Sequence, residues 1–496
     1  MSLEPFTTLL ASRHRKALGN PEKAQRRLLQ RMLASARGSP AANALGIRGD
    51  ESFEEFLEIP ARDYSFYNPL VERTFGGDPF TFGREPVVAF GETSGSLGSP
   101  KLIPHTASSL GAIKRFAERL LLFQLCEGSH YFPQFTKWLA VGASTQVRLE
   151  RGIPVGFISG LMYGIAQKKR GKSVLPTPRV AAIADWEERI RQSVAEAWTE
   201  RVGTMLGVPA YLCRFLDEAT AQAHGKPLCD VWPMLGRIYY SGTSIDPYRA
   251  SLESVLGRSL VIRGMYTATE GSFAAELDPL SPGELQLMVD LNLFAFRDIN
   301  DPIGSLVATW QLTRGRRYEI FVTTLGGLWQ YRMGDIIEVT DAGALRVRVI
   351  GRAEDEINLA TEKLSLKQAR AVIERVADGA AIHRDHFIIV PDPTHPRRHV
   401  WIIEALGRED NSRPETLIDT GLAAINPSYQ ALRRGDAVLE APRVLMLDEG
   451  GFDDYIRAGF RQKGQFKFRH IFKDAREMIR TPGLERLTSL LDEDSQ

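Results

Sequence analysis

From about Pro60 onward, short β-branched runs alternate with helical patterns over roughly three hundred residues, and nothing else in the chain limits the fold as strongly. "PVVAF" reads as a strand, the glycine- and hydroxyl-rich stretch after it as a loop, and "AIKRFAERLLLFQL" as a helix. Strand, loop, then helix, repeated, predicts an α/β body on a mixed sheet. "DWEERIRQSVAEAWTERV" fits this scheme, with Trp186, Ile190, Val194 and Ala197 on one face and its charges elsewhere. It reads as a surface helix without chemistry of its own. The segment up to about Arg48 is rich in Leu, Ala, Arg and Lys with few breakers, which predicts amphipathic helices packed on the body.

Near the end of the body, "DIIEVTDAGALRVRVIGRAEDEIN" holds two β-rich runs joined by Asp341, Ala342 and Gly343. Gly343 is the residue expected to supply the positive φ of a tight hairpin connection. The polar "GRAEDEIN" precedes a new helical pattern, "SLKQARAVIERVADG", so a boundary or hinge is expected near Arg352 to Asn358. Beyond it, helical stretches, the β-like "HFIIVPD" and "HVWIIEAL", and a basic loop around "RQKGQFKFRH" predict a small α+β cap. No internal repeat appears, and the charged tail "LDEDSQ" reads as frayed.

A chain of 496 residues can bury a substantial core. Its 62 basic and 61 acidic side chains leave a net charge of +1, without the basic excess or stripe that a general nucleic-acid binder needs. Cys126, Cys213 and Cys229 lie far apart, unlike a zinc ribbon or redox dithiol, and read as buried, reduced thiols. "MSLEPFTTLL" is not a basic segment followed by a long apolar one, and no apolar run approaches the ~20 residues of a spanning helix. The expectation is a soluble, cytoplasmic protein with neither membrane nor nucleic-acid partner.

The stretch "FGETSGSLGSPKLIPHT" has two readings. Gly95 and Gly98 would let backbone N–H groups turn toward a phosphate, Thr93, Ser94 and Ser96 add hydroxyls, and Lys101 adds charge. The same composition also suits an ordinary surface loop. It lacks the spacing of a Walker A loop, and "RGKS" at Gly171 to Ser173 fails too, because Ala166 stands where the first glycine belongs.

Two further stretches carry chemistry-bearing residues. "MYTATEGSF" brings Tyr266, Thr269 and Glu270, and "GLWQYRMGDII" sets Asp335 between a glycine and a β run. An aromatic ring can stack on adenine, a hydroxyl can hold a phosphate oxygen, and carboxylates can ligate Mg²⁺ or accept from ribose hydroxyls. Singly, Tyr266 reads first as core, Glu270 as a solvated charge and Asp335 as a turn former. Their order is more specific than any one of them.

A hydroxyl and glycine loop ending in lysine, then Tyr…Thr-Glu, then Gly-Asp, then "GRAEDEIN", then a late lysine is the order of elements in adenylate-forming enzymes. Within that superfamily the chain resembles the Gretchen Hagen family of acyl-acid amido synthetases, which join auxin or jasmonate to amino acids. The resemblance runs from "EIPARDYSFYNPLVERTFGG" through "TSGSLGSPKLIP", "YTATEGSF" and "GLWQYRMGDII" to "NPSYQALRR" and "GQFKFR". It implies a large N-terminal adenylation domain of mixed sheets and helices, 1–354, and a small mobile α+β domain, 355–496, that closes over the site. The implied reaction joins a carboxylate to AMP with loss of pyrophosphate, then passes the acyl group to an amine with loss of AMP. Coenzyme A ligation, or nucleotide binding without reaction, are the alternatives.

By the same resemblance, Thr93, Ser94, Gly95, Ser96 and Lys101 would form the phosphate loop of an ATP site. Tyr266 would lie against adenine, Thr269 would bond the α-phosphate, and Glu270 would ligate Mg²⁺. Asp335 would bind the ribose with Arg352 assisting, and Lys467 would bridge carboxylate and phosphate during adenylation. The resemblance further implies a bacterial-type monomer, shorter than the plant enzymes, acting on a small acid and an amine or amino acid. Departures are the Thr93-Ser94-Gly95-Ser96 run in place of paired serines before Gly-Thr, and Ala360 and Thr361 where relatives often carry glycine. Trp138, Phe157, Met162 and Tyr163 read as an acid pocket or as plain core. His383 and His386 lack a close ligand set, so no structural zinc is expected, and the absence of a Gly-x-Ser-x-Gly elbow speaks against a serine hydrolase.

Overall fold

A computed structural model describes the chain except residues 1–13, 94–100, 127–135, 143, 171–172, 243–244, 353–355, 358, 360–361, 363, 378–379, 396, 408–413, 434–438, 464–467, 473–474, 488–489 and 492–496. Two compact units emerge, one of Met1–Thr93 with Pro100–Val349, the other of Ile350–Gln496.

In the first unit a small sheet contains β1 (Ala89–Glu92), β2 (Leu102–His105), β4 (Arg148–Glu150) and β5 (Ile153–Phe157), ordered β2-β1-β5-β4. A large sheet contains β3 (Lys137–Val141), β6 (Val174–Leu175), β7 (Val202–Gly207), β8 (Arg237–Tyr240), β9 (Val261–Ala268), β10 (Gly271–Ala275), β11 (Leu285–Leu287), β12 (Leu293–Asp298), β13 (Arg317–Thr323), β14 (Tyr331–Asp341) and β15 (Arg346–Arg352). Its order is β12-β13-β14-β15-β11-β10-β9-β8-β7-β3-β6. The half from β6 to β9 is parallel, because helices cross between its strands; the other half is built of antiparallel neighbours.

The helices answer to simple sequence signals. Helix α1 (Pro21–Ala36) begins where Asn20 accepts from the Lys23 N–H and Pro21 supplies a preset φ, and it buries Leu28, Leu29, Met32 and Leu33. Helix α2 spans Tyr64–Phe75. Helix α3 (Ala107–Cys126) starts after Thr106, whose Oγ1 accepts from the Ser109 N–H and donates to the Leu325 carbonyl. Helix α4 (Trp186–Ala197) buries Trp186, Ile190, Val194 and Ala197, the face the periodicity marks.

The two sheets share one core. Phe90, Ile103 and Val155 of the small sheet pack in the same apolar cluster as Phe273, Ile320 and Ile337 of the large one. This brings β1 and β2 against the β9–β10 hairpin.

The second unit pairs β16 (Glu356–Ile357) with β17 (Leu364–Ser365), and builds a three-stranded sheet from β18 (Ile382–Pro391), β19 (His399–Ala405) and β20 (Arg443–Leu447). Alternate residues of β18 enter two cores. Phe387 and Ile389 meet helices α5 (Leu366–Ala377) and α6 (Pro414–Ile425), while Ile388 and Val390 meet Phe452, Tyr455 and Phe472. With both faces covered, the near-continuous apolar runs of β18 and β19 are explained.

Three sequence expectations need correction. The glycine-rich loop does not lead straight into a helix: β2 intervenes, and the loop joins two antiparallel strands. The β14–β15 connection has its positive φ at Leu345 (50°), while Asp341 Oδ1 accepts from the N–H groups of Gly343 and Ala344. The side-chain acceptor shapes the turn, so Gly343 has no left-handed conformation to supply. Cys213 and Cys229 are half-buried rather than buried. In addition, the segment read as a basic loop begins in helix α7 (Asp453–Lys463).

Candidate active site

The site is built on the β9–β10 hairpin. Ala268 pairs with Gly271, so Thr269 and Glu270 form the whole connection. Both are half-buried. Glu270 lines a small cleft with Ser109, Ser272, Asn292 and Thr324.

Strand β1 lies directly beneath this turn. A Cβ at Gly91 would come within 2.6 Å of Thr269 Cγ2 and 2.9 Å of His105 Nε2, so only glycine permits the approach. Downstream, the loop is closed at its base: the Thr93 N–H donates to the Lys101 carbonyl (3.0 Å), and the Lys101 N–H donates to Thr93 Oγ1 (3.2 Å). The Thr93 hydroxyl proton remains available for a ligand. Lys101 is exposed, with Nζ 5.9 Å from the Tyr64 ring centroid, and the Tyr64 hydroxyl accepts from the Leu102 N–H at 2.8 Å. Ser94, Gly95 and Ser96 lie outside the described residues.

Tyr266 and Asp335 meet. The Tyr266 hydroxyl donates to Asp335 Oδ2 at 2.6 Å, and its ring packs 5.2 Å from that of Phe273. Both residues are buried, which agrees with the core reading of Tyr266. The segment that delivers Asp335 is anchored upstream, where the Tyr67 hydroxyl donates to the Trp329 carbonyl (2.6 Å) and accepts from the Trp329 N–H (2.9 Å). Gly334, at φ 79°, turns the strand immediately before the carboxylate.

His105, Ser109 and Asn292 escaped the sequence reading. His105 Nε2 lies 3.1 Å from the Thr269 carbonyl, which can only accept, so Nε2 carries the proton and Nδ1 faces the Ser109 hydroxyl at 3.2 Å. Burial pushes the imidazole down to about 4, against the Thr269 hydrogen bond, and the ring is neutral. Asn292 Nδ2 donates to the Ser272 carbonyl at 2.8 Å. No local signal marks them: His105 shares strand parity with buried Ile103, but β2 itself shows only in the structure.

Arg352 ends β15, and Lys467 lies outside the described residues, as do Ala360 and Thr361. Phe468, next to Lys467, packs within the second unit against Phe452, Tyr455 and His470, with ring centroids 5.2, 5.1 and 4.9 Å away. Trp138 stacks on Tyr239 (5.7 Å, 11°), and buried Tyr163 donates to the Pro176 carbonyl; Phe157 and Met162 are partly buried. Among the described residues, no group of three or more His, Cys, Asp or Glu could hold a metal, and no helix is long and apolar enough to cross a membrane.

Solved structures share this architecture. The AtGH3.15 acyl acid amido synthetase in complex with 2,4-DB matches with a TM-score of 0.78 at 16% identity, over 97% of this chain and 96% of that one. A 2-hydroxyisobutyryl-CoA ligase in the postadenylation state matches at 0.60 and 15% identity, over 97% and 93%. The fold is that of the adenylate-forming enzymes.

Sequence comparison narrows the class. The GH3 family N-terminal domain matches residues 11–194, its central domain 292–352 and its C-terminal domain 367–476, and the chain belongs to the GH3 family. Indole-3-acetic acid-amido synthetase GH3.17 of Arabidopsis thaliana is 22% identical over 435 residues, 70% of this chain and 71% of the relative. The jasmonoyl-L-amino acid synthetase JAR4 of Nicotiana attenuata is 22% identical over 428 residues, 72% and 73%. A shorter match of 137 residues, 28% identical, spans 26% of this chain and 29% of the putative indole-3-acetic acid-amido synthetase GH3.10 of Oryza sativa.

Proposed function

We propose that the protein is an ATP-dependent acyl-acid amido synthetase that activates a small carboxylic acid as its adenylate and passes the acyl group to an amine or amino acid. The observation that supports this most is the meeting of distant motifs within one unit: Thr269–Glu270 against Gly91, and Tyr266 bonded to Asp335. Names of relatives, which are amido synthetases of indole-3-acetic acid and of jasmonate, agree with it.

In the first step a substrate carboxylate oxygen attacks the α-phosphorus of ATP; the bond to the bridging oxygen breaks and pyrophosphate leaves. Negative charge builds on the phosphate oxygens, and donors set in advance lower its energy. Thr93, Lys101 and Thr269 would bond those oxygens, together with Ser94, Gly95 and Ser96 of the loop. Asp335, oriented by Tyr266, would accept from the ribose hydroxyls, with Arg352 assisting, and the Tyr266 ring would border the adenine. Lys467 would neutralise charge between carboxylate and phosphate. In the second step the amine nitrogen attacks the acyl carbon, AMP departs, and the nitrogen loses its proton.

Glu270 lines a small cleft with Ser109, Ser272, Asn292 and Thr324, and its carboxylate is a hard oxygen ligand of the kind Mg²⁺ takes. Held by Glu270, the ion would offset charge on the phosphates. The reading takes the enzyme as a cytoplasmic monomer, and the net charge of +1 gives nucleic acid no basic excess to bind.

Acid-dependent exchange of labelled pyrophosphate into ATP, across a panel of aromatic and aliphatic acids, tests the adenylation step. Exchange that appears only with particular acids is the expected result; ATP binding with no acid-dependent exchange would leave a nucleotide-binding protein instead.

A further inference from the structure

The turn bearing Thr269 and Glu270 is not one that a hairpin of this length prefers. Two-residue connections favour types I′ and II′, which need a positive φ, yet none of Thr269, Glu270 and Gly271 has one. Other turns of this length splay the strands, and the register here is interrupted between Ser272 and Ala274. The conformation therefore depends on contacts from outside the hairpin.

Two such contacts grip it from opposite ends. Asn292 Nδ2 holds the Ser272 carbonyl, and the Asn292 carbonyl is itself fixed by Gln25 Nε2 at 2.8 Å. At the leading end His105, 1% exposed, donates from Nε2 to the Thr269 carbonyl. Its ring is bordered by β1, where a Cβ on Gly91 would come within 2.9 Å of Nε2, and the Ser109 hydroxyl meets Nδ1. The carbonyl that His105 fixes belongs to the peptide joining Thr269 to Glu270, so its direction sets where both side chains point.

We propose that His105 is a positioning residue for adenylation: its Nε2–H locks the Thr269–Glu270 turn in the conformation that aims the threonine hydroxyl and the glutamate carboxylate at the nucleotide. This rests on the function proposed above. The ring acts as a neutral donor and touches neither substrate nor reacting atoms.

His105→Leu removes the donor, and His105→Gln restores one at a similar reach. The measurements are hydrogen exchange of the backbone amides from Thr269 to Ser272 in the ligand-free protein, melting temperature, and kcat and KM of acid-dependent pyrophosphate exchange. In His105→Leu the turn amides exchange faster and kcat falls about tenfold or more, while KM for the acid stays within about twofold; His105→Gln keeps kcat within about threefold of the parent. Should the leucine variant fail to fold, His105→Asn, whose amide stops short of the carbonyl, takes its place. Equal losses in the glutamine and leucine variants, unaltered turn exchange, or unaltered kcat each overturn the proposal. Lack of acid-dependent exchange in the parent would defeat the proposed function, while the contrast in amide exchange would still decide whether His105 locks the turn.

Discussion

The Tyr266 hydroxyl donates a 2.6 Å hydrogen bond to Asp335 Oδ2, joining β9 to β14 across 69 residues of sequence. It makes one structural unit of two motifs that are each ambiguous alone. Tyr266→Phe keeps the ring and removes the donor to a buried carboxylate, a change of about 1.5–3 kcal/mol for a hydrogen bond to a charged group. KM for ATP should rise about tenfold or more while kcat changes less, in steady-state exchange assays. A variant with unchanged KM would mean that Asp335 does not rely on this donor.

The proposed function gives Lys467 a part in the first step alone. Lys467→Ala should lower pyrophosphate exchange by ~10²-fold or more, because a charge aimed at developing negative charge is lost. Amide formation from a chemically prepared acyl-adenylate should change far less. Unchanged exchange would remove Lys467 from the mechanism.

The contact between Gly91 and Thr269 predicts a pair of coupled substitutions. Gly91→Ala puts a Cβ 2.6 Å from Thr269 Cγ2, and overpacking of this kind costs about 1–3 kcal/mol. Thr269→Ser removes that methyl and keeps the hydroxyl. The double variant should recover part of both the melting temperature and the exchange rate lost in Gly91→Ala; simple additivity of the two effects would contradict the contact.

Two deeply buried histidines contribute to the acid sensitivity of the fold. His105 and His14 are both pushed down to about 4, chiefly by burial, and for His14 also by the charge of Arg119, with Asp290 opposing. The unfolded chain binds these protons near the ordinary 6.5, so between that pH and about 4 it holds more protons than the native state. Stability is therefore full above pH 6.5 and lost as pH falls, by about 2 kcal/mol per histidine at about pH 5. Urea unfolding between about pH 7 and 5 measures this, above the main carboxylate range. His105→Gln should flatten the slope by the share of one such group, His14 and the likewise lowered His383 remaining. An unchanged slope would show that the native state accepts the proton at His105.

Much of this molecule is legible in its sequence because periodicity and motif order are local signals. The alternation of β runs and helices gives the α/β body, and the face of Trp186, Ile190, Val194 and Ala197 is buried as its spacing requires. What escaped depends on tertiary partners. Strand β2 is only four residues long and contains Pro104, so propensity does not mark it; it exists because Ala89–Glu92 lies alongside. The left-handed residue of the β14–β15 turn is Leu345, since Asp341 captures the backbone around Gly343. His105 looks like one more residue of a loop until the fold sets the Thr269 carbonyl above it. Motif order singles out Tyr266 and Asp335, but only the folded structure, whose sheet order sets β9 and β14 four strands apart, reveals that they touch.

Product identity tests the central claim most directly. Incubating the protein with ATP, an acid that supports exchange, and either a panel of amino acids or coenzyme A, then weighing the products by mass spectrometry, separates the outcomes. An amide of the acid and one amino acid, formed together with AMP and pyrophosphate, is the result expected. An acyl thioester of coenzyme A as the sole acyl product, or ADP in place of AMP, would contradict it.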